Sequence, residues 1–306
     1  MSKKTKQKAP DHFKTDNVWL ENAPNLVGIQ PRGSRWATPD SEGVASIQLS
    51  LPGDLGRAYP LRPFDSWVAD ACYYFADQQE DPTAPVRVSL ADMLDRLEVT
   101  RRQTGRRQGE GFHSDVYSDI NATLLRLYQT EVDLRWNREG RSVHYKTRIL
   151  SGFGWEYADG KAVEDVPDRL RARMNDGEPV VFKRTDARPV AILYTLAREL
   201  TSGLLRRGPD HIGYTLRPSS MFELRSEAPL VKLLADFVWR QTEPHIRRKL
   251  STLRKQLGIP GRNVTRDRNS LLKAGLRLVE LGYFAAFSID EFNMVDIQKP
   301  PRQSPD

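Results

Sequence analysis

The sequence predicts an α+β chain in which one order of elements occurs twice. Three observations carry this prediction. Some short runs repeat apolar residues at helical spacing and others alternate with a period of two. A succession of helix, strand, helix, helix and two-stranded ribbon is legible before residue 150 and again from residue 228 onward. Between them stands the breaker "RRGPD", Arg206 to Asp210. At 306 residues, with 39% hydrophobic and 9% aromatic content, the chain is long and apolar enough for two domains with cores of their own.

The first predicted domain spans residues 45–205. Phe64 to Gln78 reads as a helix with Trp67, Ala71, Tyr74 and Phe75 on one face, and "VRVSL", Val86 to Leu90, alternates as a short strand. Ser89 stands before a second helix in which Leu90, Met93, Leu94 and Leu97 recur at helical spacing. A Gly- and Arg-rich loop, "VTRRQTGRRQGEG", leads to Ser114, which is placed to cap a third helix striped by Val116, Ile120, Leu124 and Leu127. "TEVDLRW", the turn "NREG" and "RSVHYKTRIL" then form a hairpin.

The second domain, residues 206–299, repeats the succession. Its first helix is Ala228 to Gln241, with Leu230, Leu233, Leu234, Phe237 and Val238 apolar. "IRRKLSTLRKQL" supplies the second helix and "NVTRDRNSLLKAGLRLVELG" the third, and the opening strand is expected before them with a fainter signal than in the first domain. "YFAAFSI", the turn "DEFN" and "MVDIQ" make the ribbon. The repeated order is the winged-helix arrangement, so the prediction is two winged-helix domains in tandem. The basic residues 1–17 and the Pro-rich residues 298–306 lack apolar periodicity and are expected to be a disordered arm and tail.

Composition narrows the function. A net charge of +7 points to an anionic partner. The N-terminus is basic but lacks the apolar run of a secretory signal, and no segment approaches the length of a membrane span, so a cytoplasmic protein with no membrane partner is expected. The single cysteine, Cys72, sits among apolar residues and excludes a disulfide framework. Five scattered histidines form no metal-ligand pair. "GWEYADGKA" misses the spacing of a phosphate-binding loop and reads as a hairpin or loop. No metal, no cofactor and no catalysis are expected.

The charge is concentrated. Residues 245–282 hold ten Lys or Arg against Asp267 and Glu280, a net of +8, which leaves the remainder nearly neutral. On the third helix of the second domain, Arg262, Arg266, Asn269, Ser270, Lys273 and Arg277 project within about 40° of a common direction, with Asn263 beside them. Val264, Leu271, Gly275, Leu278 and Val279 face the other way, and Arg268 falls toward that apolar side. A charge run is most often a solvated face, but such faces mix signs for pairing and this one has almost no acid.

Arg and Asn suit guanine and adenine edges, and Lys suits phosphates. Arg247, Arg248, Lys249, Arg254 and Lys255, assigned to the preceding helix, are placed to hold the backbone. Arg101, Arg102, Arg106 and Arg107 form a possible second contact in the first domain, whose third helix carries Asp115 and Asp119. Double-stranded DNA is the expected partner. A transcriptional regulator and a DNA-nicking enzyme are the rival readings.

The tandem organisation resembles plasmid replication initiators of the iteron-binding Rep class across residues 45–299. The likeness is carried by "PVRVSLADMLDRL", "EAPLVKLLADFVWR" and "LSTLRKQLGI". It implies that the C-terminal domain reads repeated origin sequences, with Arg262, Arg266, Asn269, Lys273 and Arg277 on the helix entering the major groove. It further implies that the N-terminal domain supports homodimerisation or melting of AT-rich DNA, and that a host replicative helicase or its loader is recruited.

Overall fold

A computed structural model describes residues 12–16, 46–50, 63–99, 103–104, 107–108, 114–138, 141–157, 189–201, 204, 214–259 and 263–300. Strands and helices are mixed in the α+β manner expected. β1 (His12–Asp16) and β2 (Ser46–Ser50) precede α1 (Pro63–Asp77), β3 (Val86–Ser89) and α2 (Leu90–Arg96). A minimal hairpin, β4 (Gln103–Thr104) and β5 (Arg107–Gln108), leads to α3 (Ser114–Gln129). Four strands follow: β6 (Glu131–Arg138), β7 (Arg141–Arg148), β8 (Leu150–Tyr157) and β9 (Pro189–Leu196).

β10 (Tyr214–Pro218) and a 3-10 segment, Ser219–Ser226, join these to α4 (Pro229–Arg240), β11 (His245–Lys249), α5 (Leu250–Gln256) and α6 (Val264–Glu280). β12 (Ala286–Ile289) and β13 (Met294–Gln298) close the second unit.

α1 is buried on nearly every side, not on the single face its spacing predicts. Its polar residues are therefore partnered. The Asp65 carboxylate accepts from Arg126 Nη2 at 2.6 Å and Thr123 Oγ1 at 2.9 Å, tying α1 to α3. The buried Tyr194 hydroxyl donates to the Cys72 carbonyl at 2.9 Å, and burial pushes the Cys72 thiol up. α2 begins as its sequence signal requires, with Ser89 Oγ accepting from the Asp92 N–H at 2.9 Å.

The two units share a sheet order. In the first, β3 pairs with β9 and β9 with β8; in the second, β11 pairs with β13 and β13 with β12, all antiparallel. This corrects the assignment of the first ribbon. β6 and β7 do form a hairpin, from Glu131↔Arg148 to Arg138↔Arg141, but its third strand is β2 and it belongs to a separate sheet. The strands that stand where β12 and β13 stand are β8 and β9. The hairpin was visible because alternation and turn are local signals, whereas the pairing of β3 with β9 joins residues about 100 apart. Gly154 to Tyr157, expected as hairpin or loop, are the end of β8.

Three further expectations change. Residues 12–16 of the presumed disordered arm are a strand, paired with β10 from His12↔Pro218 to Asp16↔Tyr214. Burial holds it: Phe13 is fully enclosed, stacked on Phe222 at 5.7 Å and edge-on to Tyr74 at 5.5 Å. At the other end, Gln298 is still in β13 and the Lys299 N–H donates to Pro244 O at 2.9 Å, so the second unit continues into the predicted tail. Finally, His245 to Lys249 are the opening strand of the second unit, not part of a helix; Ile246 alone of the five is fully buried, between exposed neighbours. Buried residues of both units form one continuous core.

Candidate nucleic-acid interface

α6 is seated by four contacts. Asn263 caps it: backbone φ −141° and ψ 97° are extended, and Oδ1 accepts from the Arg266 N–H at 2.9 Å. Leu271, Ala274, Gly275 and Leu278 bury the rear of the helix. A β-carbon on Gly275 would lie 2.3 Å from the Phe287 ring, so only glycine lets β12 approach this closely. Arg268, on the rear as its angle predicts, donates from Nη2 to the Ile289 carbonyl at 2.9 Å and ties α6 to the end of β12.

The front is open. Arg266, Asn269, Ser270 and Lys273 are all exposed. With Asn263 and Thr265 they line a shallow groove of about 420 Å³. A broader groove of about 860 Å³ runs between α6 and the start of α4, with Glu227 to Val231 on its far bank. Arg266 and Lys273 make no ion pair among the described residues.

Not every predicted cation shares this setting. Arg277 is held by two acids: Glu227 Oε1 accepts from Nη2 at 2.8 Å and from Nε at 3.2 Å, and Glu280 Oε2 accepts from Nη1 at 2.9 Å. The hydrogen bonds donated to Glu227 hold the guanidinium above its ordinary value, and the same contact holds the Glu227 carboxyl below its own. Arg254 is buried and ion-paired with Asp267, fixing α5 against α6, so it is not an exposed backbone contact. Val264, assigned to the rear, is 52% exposed in the first turn, before the helix has settled onto its core.

Among the supporting cations, Arg247 and Lys249 are exposed on β11 and Lys255 on α5. Arg248 pairs with Glu243 at 3.1 Å. Arg262, Arg101, Arg102 and Arg106 lie outside the described residues, and Arg107 is described only as part of the β5 backbone. In the first unit α3 presents the exposed Asp119 and turns Arg126 inward to Asp65. Sequence reasoning missed Glu227. It lies 50 residues from Arg277, and only the fold brings the two together. Glu280, at i+3 from Arg277, was in view as a pairing partner.

The surface is thus a helix with an anchored rear and a front on which the cations Arg266 and Lys273 stand uncompensated among amides and hydroxyls, with Arg277 paired at its far end. Such a front can form bidentate hydrogen bonds to base edges and charge-assisted contacts to phosphates. Among the described residues no group of three or more His, Cys, Asp or Glu is placed to hold a metal ion, and no helix is long and apolar enough to cross a membrane.

No protein-family model and no curated protein matches the chain. Among solved structures it is similar to a crystal structure of selenomethionine derivatives of domains 2 and 3 of RctB. The TM-score is 0.52 and the identity 16%, over 92% of this chain and 96% of that one. The likeness establishes a shared fold across most of both chains.

Proposed function

We propose that this chain is a replication initiator of two winged-helix domains that binds repeated origin sequences in double-stranded DNA through the second, opens the adjacent duplex and recruits a host helicase or its loader. The observation that carries the reading is the front of α6. Seventeen residues at 1.5 Å each make a rod of about 25 Å, and the major groove, about 12 Å wide, admits such a helix. Arg266 and Asn269 meet base edges, Lys273 meets phosphate, and exposed Arg247, Lys249 and Lys255 add backbone contacts. The order of helices and strands in each unit supports the winged-helix reading. The fold shared with domains 2 and 3 of RctB supports reading the chain as two units of one architecture. The first unit acts in self-association or duplex opening, and neither unit breaks a bond.

The test combines selection with substitution. Duplexes recovered from a random pool should share a motif that recurs in an origin. Each good bidentate base contact is worth about 1–3 kcal/mol, roughly 5-fold to 150-fold in affinity. Changing Arg266 and Lys273 together to Ala should therefore weaken binding to that motif by at least about 5-fold while leaving the circular dichroism spectrum unaltered. Undiminished binding by this double variant refutes the reading.

A further inference from the structure

The first helices of the two units share a detail beyond their order. α1 reads Pro-Phe-Asp-Ser-Trp-Val-Ala-Asp and α4 reads Pro-Leu-Val-Lys-Leu-Leu-Ala-Asp, each opening on proline and placing an Ala-Asp pair at its seventh and eighth positions. Those two aspartates, Asp70 and Asp236, are both buried and both turn toward one guanidinium. Arg217, from β10, is fully enclosed; its Nη1 donates to Asp70 Oδ1 at 2.7 Å and its Nη2 donates to Asp236 Oδ1. Lys232 Nζ completes the set, 2.8 Å from Asp70 Oδ2 and 2.7 Å from Asp236 Oδ2. Two positive and two negative charges close on themselves without solvent.

Aromatic rings wall the cluster. The Arg217 guanidinium carbon lies 5.7 Å from the Phe13 ring centre and 5.6 Å from that of Trp239, and Lys232 Nζ lies 4.9 Å from Trp67. Phe13 is the strand partner of Arg217, so β1 and β10 together form a ribbon between the two first helices. Arg217 and Lys232 both contact the equivalent aspartates of the two units, but Arg217 does so through the two arms of one rigid fork and Lys232 through a single ammonium.

We propose that Arg217 is the positioning residue of this joint. By gripping Asp70 and Asp236 at once it sets the angle between the units, and so fixes the direction in which α6 faces relative to α3. Burial alone would be served by any neutral, volume-matched set of side chains. The fork adds a fixed geometry between two helices of like sequence, and a point charge on a flexible stem does not supply that.

The experiment measures the angle through a distance. Spin labels at Asp119→Cys on α3 and Thr252→Cys on α5, both exposed, report the separation of the units, and Cys72 is buried away from the label. The parent chain should give one narrow distribution. Arg217→Lys keeps the charge and loses the fork; with the helix content unchanged, its distribution should broaden at least two-fold. The neutral pair Asp70→Asn with Arg217→Gln, which leaves Lys232 and Asp236 compensating each other, should broaden it further or fail to hold the units together. An unchanged width in Arg217→Lys overturns the proposal, whatever the double variant does. No DNA is present in this measurement, so its failure and failure of the DNA-binding reading are told apart.

Discussion

Arg266 and Arg277 lie on the same line of α6, yet the first is uncompensated and the second is shared between Glu227 and Glu280. Helical spacing identifies which side chains leave the helix together, and here it named the front correctly at Arg266, Asn269, Ser270 and Lys273. What meets them is set by other elements, so the pairing of Arg277 with Glu227 and of Arg254 with Asp267 was not legible. Glu227→Gln should leave Arg277 paired with Glu280 alone and remove an acid from the groove. Duplex affinity is then expected to rise and its salt dependence to steepen by about 0.9 in the log–log slope, one phosphate contact, in a titration over salt concentration. At the rear, Gly275→Ala forces a methyl into the Phe287 ring. Overpacking of this kind costs about 1–3 kcal/mol, and urea unfolding should register it.

Among the elements, the helices were the most legible, because their signals lie within a few residues. Ser89 before α2 and the stripe of α6 needed nothing from elsewhere in the chain. Strands were less so. β9 has an irregular inward and outward pattern, and its register against β8 shifts twice, which blurs the alternation that identifies a strand. β11 hides its one fully buried residue, Ile246, among charges that suit a helix equally well. β1 is five residues long with a single large apolar side chain, too little to be recognised without the pocket that receives it. That pocket makes a quantitative expectation. Phe13→Ala should destabilise the protein by about 3–5 kcal/mol in denaturant unfolding, the usual cost of emptying an enclosed aromatic site. A loose arm at this position would show no change.

At the scale of the whole molecule, the duplicated pattern suggested two bodies, each with a core, and the structure joins them through one. Buried residues run without a gap from Trp67 in α1 through Met221 and Phe222 to Phe237 in α4 and Phe284 before β12. Units that share a core and a closed charge cluster should unfold together. Calorimetry is therefore expected to give a single transition with equal calorimetric and van't Hoff enthalpies, and two resolved peaks would show that the joint is weaker than either unit. The pairing of His12 with Pro218 has a further consequence, which concerns synthesis. At about 5–20 residues per second, a ribosome needs roughly 10–40 s after making β1 before β10 follows. For that interval β1 has no partner strand, and the nascent chain must keep it from pairing elsewhere until β10 emerges.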